Sequence, residues 1–182
     1  MDITEFLQQS AGKWVSQRTT HQFAFKQTGS SKSNIVVEML LKDDPAVIKL
    51  CQQHKIDPTQ ALCGTRVTWD GIVERGEEKR SGSTLMVPIA NPDDSRAGKL
   101  LCEAGQNAPI SGRYMMGEDD ALTLITESEV TTSETLSSEE RLWFASPNLR
   151  LRTSTLKRSG GFSMATFSSE IRMGGVQPPD QS

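Results

Sequence analysis

Short strand-like runs, separated by turn-forming sequences, are the feature of this sequence that most restricts its fold. The runs are rich in β-branched, aromatic and aliphatic residues. Turn-forming sequences include 91–94 (NPDD), 117–120 (GEDD) and 159–161 (SGG). The strands are predicted at 14–25, 34–41, 62–75, 83–90, 99–104, 110–116, 121–127, 130–136, 141–146, 148–157 and 162–173.

This spacing predicts a mainly β fold, an antiparallel meander of about ten strands. A sandwich and an up-and-down barrel both fit the pattern. The barrel is favoured because polar residues on the predicted inner faces suit a cavity that holds a ligand.

Two segments depart from the strand pattern and predict helices. Apolar residues follow Asp2 at helical spacing, so a short capped helix is expected to end near Gly12. A second helix, inserted between early strands, is predicted with Asp44 as cap, Pro45 as its first residue and an end near His54. We expect the two helices to cover the mouth or the floor of the barrel.

The length of 182 residues predicts one domain, at 1–175, followed by a proline-rich, polar and disordered tail at 176–182. The formal net charge is -3 and the basic residues are scattered, which argues against nucleic acid as a partner. No apolar run approaches the ~18 residues of a membrane span, and the amino terminus does not resemble a signal peptide. We therefore expect a soluble cytoplasmic protein.

The cysteines and histidines give no sign of a metal site. Cys51, Cys63 and Cys102 are far apart and form no C-x-x-C motif, so reduced thiols are expected. His21 and His54 have no second potential ligand at helical or strand spacing. The sequence predicts no bound metal.

An arginine pair in strand 148–157 is the first candidate for ligand binding. Strand alternation places Arg150 and Arg152 on one face and leucines on the other. Two guanidinium groups can clamp a ligand that carries two carboxylates, although a solvated outer face is the simpler interpretation. Glu139 and Glu140 lie just before this strand and can pair with a cationic nitrogen ligand, act as general acid or base, or lie in a solvated turn.

Tryptophan and arginine also share a face in the first predicted strand. Trp14 and Arg18 lie on one face, whereas His21 lies on the other. An aromatic plane beside a fixed cation suits a flat, conjugated acid. Trp69 in the third strand offers a second aromatic plane. Each tryptophan can equally be a core residue.

Three segments together resemble the S-type phycobiliprotein lyases, the CpcS/CpeS family of cyanobacteria and algae. They are K-W-V-S-Q-R-T-T-H from Lys13, R-V-T-W-D-G from Arg66 and E-R-L-W-F-A-S-P-N-L-R-L-R-T-S from Glu140. The resemblance spans essentially the whole chain. It implies a lipocalin-like or fatty-acid-binding-protein-like antiparallel barrel, and a lyase that joins open-chain tetrapyrroles (bilins) to cysteines of phycobiliprotein subunits through a thioether.

The resemblance also implies roles for individual residues. The arginines bind the two propionates of the bilin, the tryptophans line the cavity, and a glutamate holds the pyrrole nitrogens or assists proton transfer. A histidine of the first strand is functional as well. The residues concerned are Arg18, Arg150, Arg152, Trp14, Trp69, Glu139, Glu140 and His21.

The implied partners are a bilin and an acceptor protein. The bilin, phycocyanobilin or phycoerythrobilin, is a substrate, and no tightly bound cofactor is implied. Acceptors are apo-subunits of phycocyanin, allophycocyanin or phycoerythrin, in a cyanobacterial cytosol or a plastid stroma. A homodimer or a paralogous lyase partner is also implied. The alternatives are a non-enzymatic carrier of a bilin or other hydrophobic acid, a related lyase class, and an assembly protein with a degenerate pocket.

Overall fold

The computed structural model describes residues 1–73, 78–104, 110–131, 134–158 and 161–174. Over these residues the chain forms two α-helices, α1 (Ile3–Ser10) and α2 (Pro45–Gln53), a 3-10 turn (Pro58–Gln60) and ten strands. Neither helix in these ranges is long and apolar enough to cross a membrane. The strands are β1 (Gly12–Gln22), β2 (Gln27–Leu40), β3 (Gly64–Val73), β4 (Glu78–Pro88), β5 (Ala97–Ala104), β6 (Ile110–Met116), β7 (Leu122–Thr131), β8 (Glu134–Ser146), β9 (Leu149–Arg158) and β10 (Gly161–Arg172).

The strands form one closed up-and-down barrel. Each strand pairs antiparallel with its neighbours in the chain, and β1 pairs with β10 to close the sheet. Each of these ten strands therefore has a paired neighbour on both sides. The predicted barrel is confirmed, and the sandwich alternative is wrong.

The predicted boundary between the seventh and eighth strands is wrong. The segment predicted as a strand at 130–136 spans the end of β7 and the start of β8, while β8 continues as a single strand of 13 residues. This part of the sequence is mostly serine, threonine and glutamate, so it offers no apolar alternation to mark a strand. Pairing between β7 and β8 decides its conformation instead. The turn at 159–160 and the predicted tail at 176–182 lie outside the described residues.

Helix α1 closes one end of the barrel, as expected. Its start is fixed by a capping box, in which the Asp2 carboxylate accepts from the Glu5 amide and the Glu5 carboxylate accepts from the Asp2 amide. Its apolar side enters the barrel, where the rings of Phe6 and Phe144 lie 5.1 Å apart. The floor of the barrel is therefore a packed hydrophobic layer.

Helix α2 does not cover the mouth or the floor, so that expectation is wrong. It lies against the outer surface of β4 and β5, where its buried residues pack on outward-facing strand residues: Val47, Leu50 and Cys51 against Leu85, Val87 and Leu101. The reason is strand alternation, since Thr84 and Met86 point into the barrel. The outer face of β4 is therefore covered by α2, while its inner face lines the interior of the barrel.

Candidate functional site

A cavity of about 430 Å³ occupies the interior of the barrel above α1. This volume is in the usual range for sites that bind small organic molecules. Strands β2 to β7 line it mainly with apolar and hydroxyl side chains: Ile35, Val37, Thr65, Val67, Trp69, Thr84, Met86, Leu100, Cys102, Ile110, Leu122, Leu124 and Thr126. One half of the cavity is therefore largely apolar.

The opposite half carries charged side chains from four adjacent strands, β8, β9, β10 and β1. We refer to these residues as the charged wall: Arg18, Glu140, Arg150, Arg152 and Glu170. The register of the sheet places Arg150 beside Glu170, and Ser168 between Arg152 and Arg18. The inward orientation of Arg18, Arg150 and Arg152 excludes the solvated outer face as their environment.

Glu170 is the centre of the charged wall. Its carboxylate is fully buried and accepts from Arg150, with Oε2 2.6 Å from both Nε and Nη2. Its other oxygen, Oε1, lies 2.9 Å from Arg152 Nη2 in an ion pair without hydrogen-bond geometry. Glu140 lies further away, with Oε2 3.6 Å from Arg152 Nη1. One carboxylate therefore fixes two guanidinium groups.

Burial affects the pKa of all three arginines of the charged wall. Desolvation lowers the pKa of Arg18 and of Arg150, although Glu170 partly offsets it at Arg150. Desolvation also acts on Arg152, but Glu170 and Glu140 outweigh it and raise the pKa of that guanidinium. Arginine stays charged in proteins. Three guanidinium groups against two carboxylates leave the wall with one formal positive charge in excess.

Two groups on this wall have donors that the protein does not fully use. Arg18 donates through Nε to Ser168 Oγ at 3.3 Å and forms no ion pair with a carboxylate among the described residues. The buried Nε of Arg152 has no hydrogen-bond partner within the same ranges. An unpaired buried donor is costly, so an anionic ligand that accepts from these groups would be favoured.

Trp14 does not line the cavity, in contrast to its predicted role, but lies buried on the inner face of β1 near the end of α1. Its indole is buried, and the guanidinium groups of Arg150 and Arg172 lie 4.9 Å and 4.1 Å from the ring centroid. Trp14 Nε1 donates to Ser10 O, and Arg172 donates to Ala11 O, so both side chains hold the end of α1. Trp14 thus contacts Arg150 at the end of the charged wall nearest α1.

His21 and Glu139 are not brought to the cavity. Both side chains are exposed, and His21 Nδ1 lies 3.3 Å from Thr28 Oγ1 on the outer surface of the barrel. Strand alternation explains this, since the adjacent Thr20 and Glu140 take the inward positions. The geometry gives no support to a role for His21 or Glu139 at a ligand inside the barrel.

Sequence reasoning missed Glu170, although it is the residue that organises the wall. The signal available in the sequence was the alternation of polar Ser168 and Glu170 with apolar Phe167 and Ile171. That pattern normally indicates a polar outer face. In β10 the polar residues face inward and the apolar residues face solvent.

The thiols are poorly suited to act as nucleophiles. Burial raises the pKa of Cys102, which lines the cavity, to about 12, and that of Cys63 to about 11. It also raises the pKa of Cys51. All three thiols are therefore protonated near neutral pH. No group of three or more metal-ligating side chains is assembled in the described part of the chain.

A closed antiparallel barrel plugged at one end by a helix, with a cavity that is apolar on one side and cationic on the other, is a lipocalin-like fold. The family model of CpeS-like proteins matches residues 2–173. The chain therefore belongs to the CpcS/CpeS family of chromophore lyases, and the resemblance in its sequence is confirmed.

Individual relatives agree along nearly their full length. Chromophore lyase CpcS/CpeS of Thermosynechococcus vestitus is 61% identical over 180 residues, which cover 98% of this chain and 96% of that protein. The phycocyanobilin lyase subunit CpcS of Picosynechococcus is 45% identical, with coverage of 94% and 86%. The solved structure of the S-type phycobiliprotein lyase CPES from Guillardia theta superposes with a TM-score of 0.82 at 31% identity, covering 97% of this chain and 95% of that one.

Proposed function

We propose that this lyase binds an open-chain tetrapyrrole, phycocyanobilin, in the barrel cavity and promotes its thioether attachment to a cysteine of a phycobiliprotein subunit. The observation that carries the proposal is the excess positive charge on one wall of an otherwise apolar cavity. A bilin is a long conjugated molecule with two propionates, so it needs both halves of this site. The Picosynechococcus relative is a phycocyanobilin lyase subunit, which supports phycocyanobilin as the bilin.

The propionates are assigned to the donors that the protein leaves open. Among the described residues Arg18 has no carboxylate partner and Arg152 Nε has no hydrogen-bond partner, so these two groups are the first contacts. Arg150 adds positive charge at the base of the wall, where Glu170 fixes its orientation. The pyrrole rings then lie against the apolar half, with Trp69 offering an aromatic face.

The bond-forming step uses a thiolate of the acceptor subunit. Its sulfur adds to the ethylidene carbon of ring A, and a proton is taken up at the adjacent ring carbon, so that a thiol has added across the double bond. The protonated thiols of this chain leave the acceptor as the source of the nucleophile. Glu140 lies in the cavity and is our candidate to hold the pyrrole N–H groups and to move a proton.

The main contribution of the lyase is positional. Bilins add to thiols unaided. Holding the bilin in one orientation therefore increases the rate of correct attachment mainly through proximity, and it suppresses wrong products. The proposed acceptors are subunits of phycocyanin, allophycocyanin or phycoerythrin, in the cytoplasm. The Picosynechococcus relative is one subunit of a lyase, which supports work with a second chain, identical or paralogous.

Transfer and binding can be separated in one experiment. The protein is mixed with phycocyanobilin and an apo-phycocyanin β subunit, denatured in acid urea and analysed by zinc-stained electrophoresis. The proposal predicts a covalent, correctly coloured adduct formed faster than without the protein. A spectral shift on binding without faster covalent transfer would identify a carrier, and no shift would refute bilin binding.

Matched arginine variants test the charged wall. Arg18→Gln removes the inward guanidinium that donates to Ser168, whereas Arg113→Gln removes an exposed guanidinium from β6. We expect Arg18→Gln to weaken bilin binding about tenfold or more, since a charge-assisted hydrogen bond contributes about 1.5–3 kcal/mol. Arg113→Gln should bind as the wild type does. Equal loss in both variants would contradict the assignment.

A further inference from the structure

Gly82 is an inward-facing glycine in the interior of β4, directly opposite Trp69 of β3. A Cβ atom at this position would lie 2.3 Å from Trp69 Cζ2, 2.7 Å from Cε2 and 2.9 Å from Cη2. These three atoms belong to the six-membered ring of the indole. The ring therefore lies across Gly82, against the inner surface of the barrel, in space that any other residue would fill.

Filling that space would push the indole, which is 37% exposed, away from the barrel wall. On its other side Trp69 is opposite Ile35 of β2, which is buried and also lines the cavity. The floor of the barrel beyond is packed. An ordinary carbon contact is about 3.5–4.0 Å, so the ring would shift by more than 1 Å, towards the lumen.

We propose that Gly82 is a positioning residue that sets the width of the ligand cavity, by allowing the indole of Trp69 to lie flat against the wall. The inference rests on the proposed function, because it assumes that a bilin occupies this cavity. With glycine at 82, the conjugated plane of the ligand has room to lie against the indole. With a larger residue, the indole itself occupies part of that room.

Glycine at this position needs such an explanation, because it is disfavoured inside a strand. It has no side chain to pack and it loses more conformational entropy on folding than other residues. The backbone does not require it, since Gly82 is outside the left-handed region that favours glycine. The close approach of the Trp69 ring is what distinguishes the position.

The matched control is Gly29 of β2, which also faces the lumen by strand alternation. A Cβ at Gly29 would meet nothing within 4 Å, and its backbone is likewise outside the left-handed region. Gly29→Ala therefore makes the same chemical change in an inner strand position without touching Trp69. Both alanine variants should fold, because at Gly82 the three nearest atoms belong to a side chain and not to the backbone.

The experiment is a spectrophotometric titration with phycocyanobilin of five proteins: wild type, Gly82→Ala, Gly29→Ala, Trp69→Phe and the double variant Gly82→Ala/Trp69→Phe. We expect Gly82→Ala to raise Kd about tenfold, which corresponds to the lower end of the free-energy cost of overpacking. The Kd of Gly29→Ala should lie within about twofold of the wild-type value. Phenylalanine lacks the outer ring atoms that the new methyl group meets. In the Trp69→Phe background, Gly82→Ala should therefore change Kd by less than about threefold.

Two results would overturn the inference. One is a wild-type Kd in Gly82→Ala, and the other is the same loss with and without the Trp69→Phe change, which would mean that Gly82 does not act through the indole. If the wild type itself fails to bind phycocyanobilin, the proposed function fails first. Near-UV circular dichroism of the free proteins provides a second readout, since a displaced indole changes the aromatic signal of Gly82→Ala but not that of Gly29→Ala.

Discussion

Replacing Glu170 by glutamine keeps the side-chain shape but removes the carboxylate that holds two arginines. Arg150 and Arg152 are 4% and 14% exposed, and both are paired with Glu170. Removing one partner of a buried ion pair costs about 3–5 kcal/mol, because the other charge is left uncompensated. In the variant Arg152 still has Glu140 as a partner, with Nη1 3.6 Å from Oε2, so we expect the lower end of this range, about 3 kcal/mol. For a chain of this length, that lowers the Tm by roughly 6–12 °C.

The same substitution should increase the response to the ligand. The charged wall then has three guanidinium groups and one carboxylate, so its formal excess rises from one positive charge to two. A ligand with two carboxylates compensates that charge on binding. We expect phycocyanobilin to raise the Tm of Glu170→Gln by more degrees than it raises the Tm of the wild type.

Thermal unfolding followed by far-UV circular dichroism at pH 7, with and without phycocyanobilin, measures both effects. Glu139→Gln is the matched control, because Glu139 is an exposed glutamate of β8, and its stability should change by less than about 0.5 kcal/mol. A Tm for ligand-free Glu170→Gln within about 2 °C of wild type would refute the energetic role of the buried carboxylate. Equal ligand-induced shifts in both proteins would refute the charge argument.

Three further predictions concern other parts of the fold. Arg172→Ala removes hydrogen bonds to the end of α1 and a cation above Trp14, and should lower the unfolding free energy by about 1–2 kcal/mol in urea; an unchanged midpoint would count against this support. Asp2→Ala removes the capping box and should lower the unfolding free energy by about 1 kcal/mol in the same assay; an unchanged value would mean that packing alone holds α1. The pKa of Cys102 is raised to about 12 from 9.0, so the unfolded chain releases this proton first, and stability should fall as pH rises above 9. Cys102→Ala should flatten that fall in unfolding curves at increasing pH, and an identical slope would exclude this thiol as a contributor.

The parts of the fold that depend on local sequence could be predicted. Asp2 and Asp44 cap the two helices as expected, because a cap depends only on the next two or three residues. Alternation grouped Arg150 with Arg152 on one face of their strand, and both line the cavity. The family motifs identified a chromophore lyase. Each of these signals is contained within one short segment of the chain.

The contacts that build the site depend on closure of the barrel. Arg18 donates to Ser168, 150 residues away, and Glu170 reaches Arg150 only because β10 pairs with β9 in one particular register. Glu170 in β10 lies on the polar face of an alternating strand, and the sequence alone makes that face look solvated.

Period-2 alternation thus divided the residues of each strand between two faces, but it did not tell which face lies inside the barrel. The sequence alone determined the strands, caps and family motifs. Tertiary structure decided that His21 and Glu139 point outward, that Trp14 is buried near α1 and that Gly82 meets Trp69. The physical reason is that the burial of a face depends on what packs against it, and those neighbours come from distant parts of the chain.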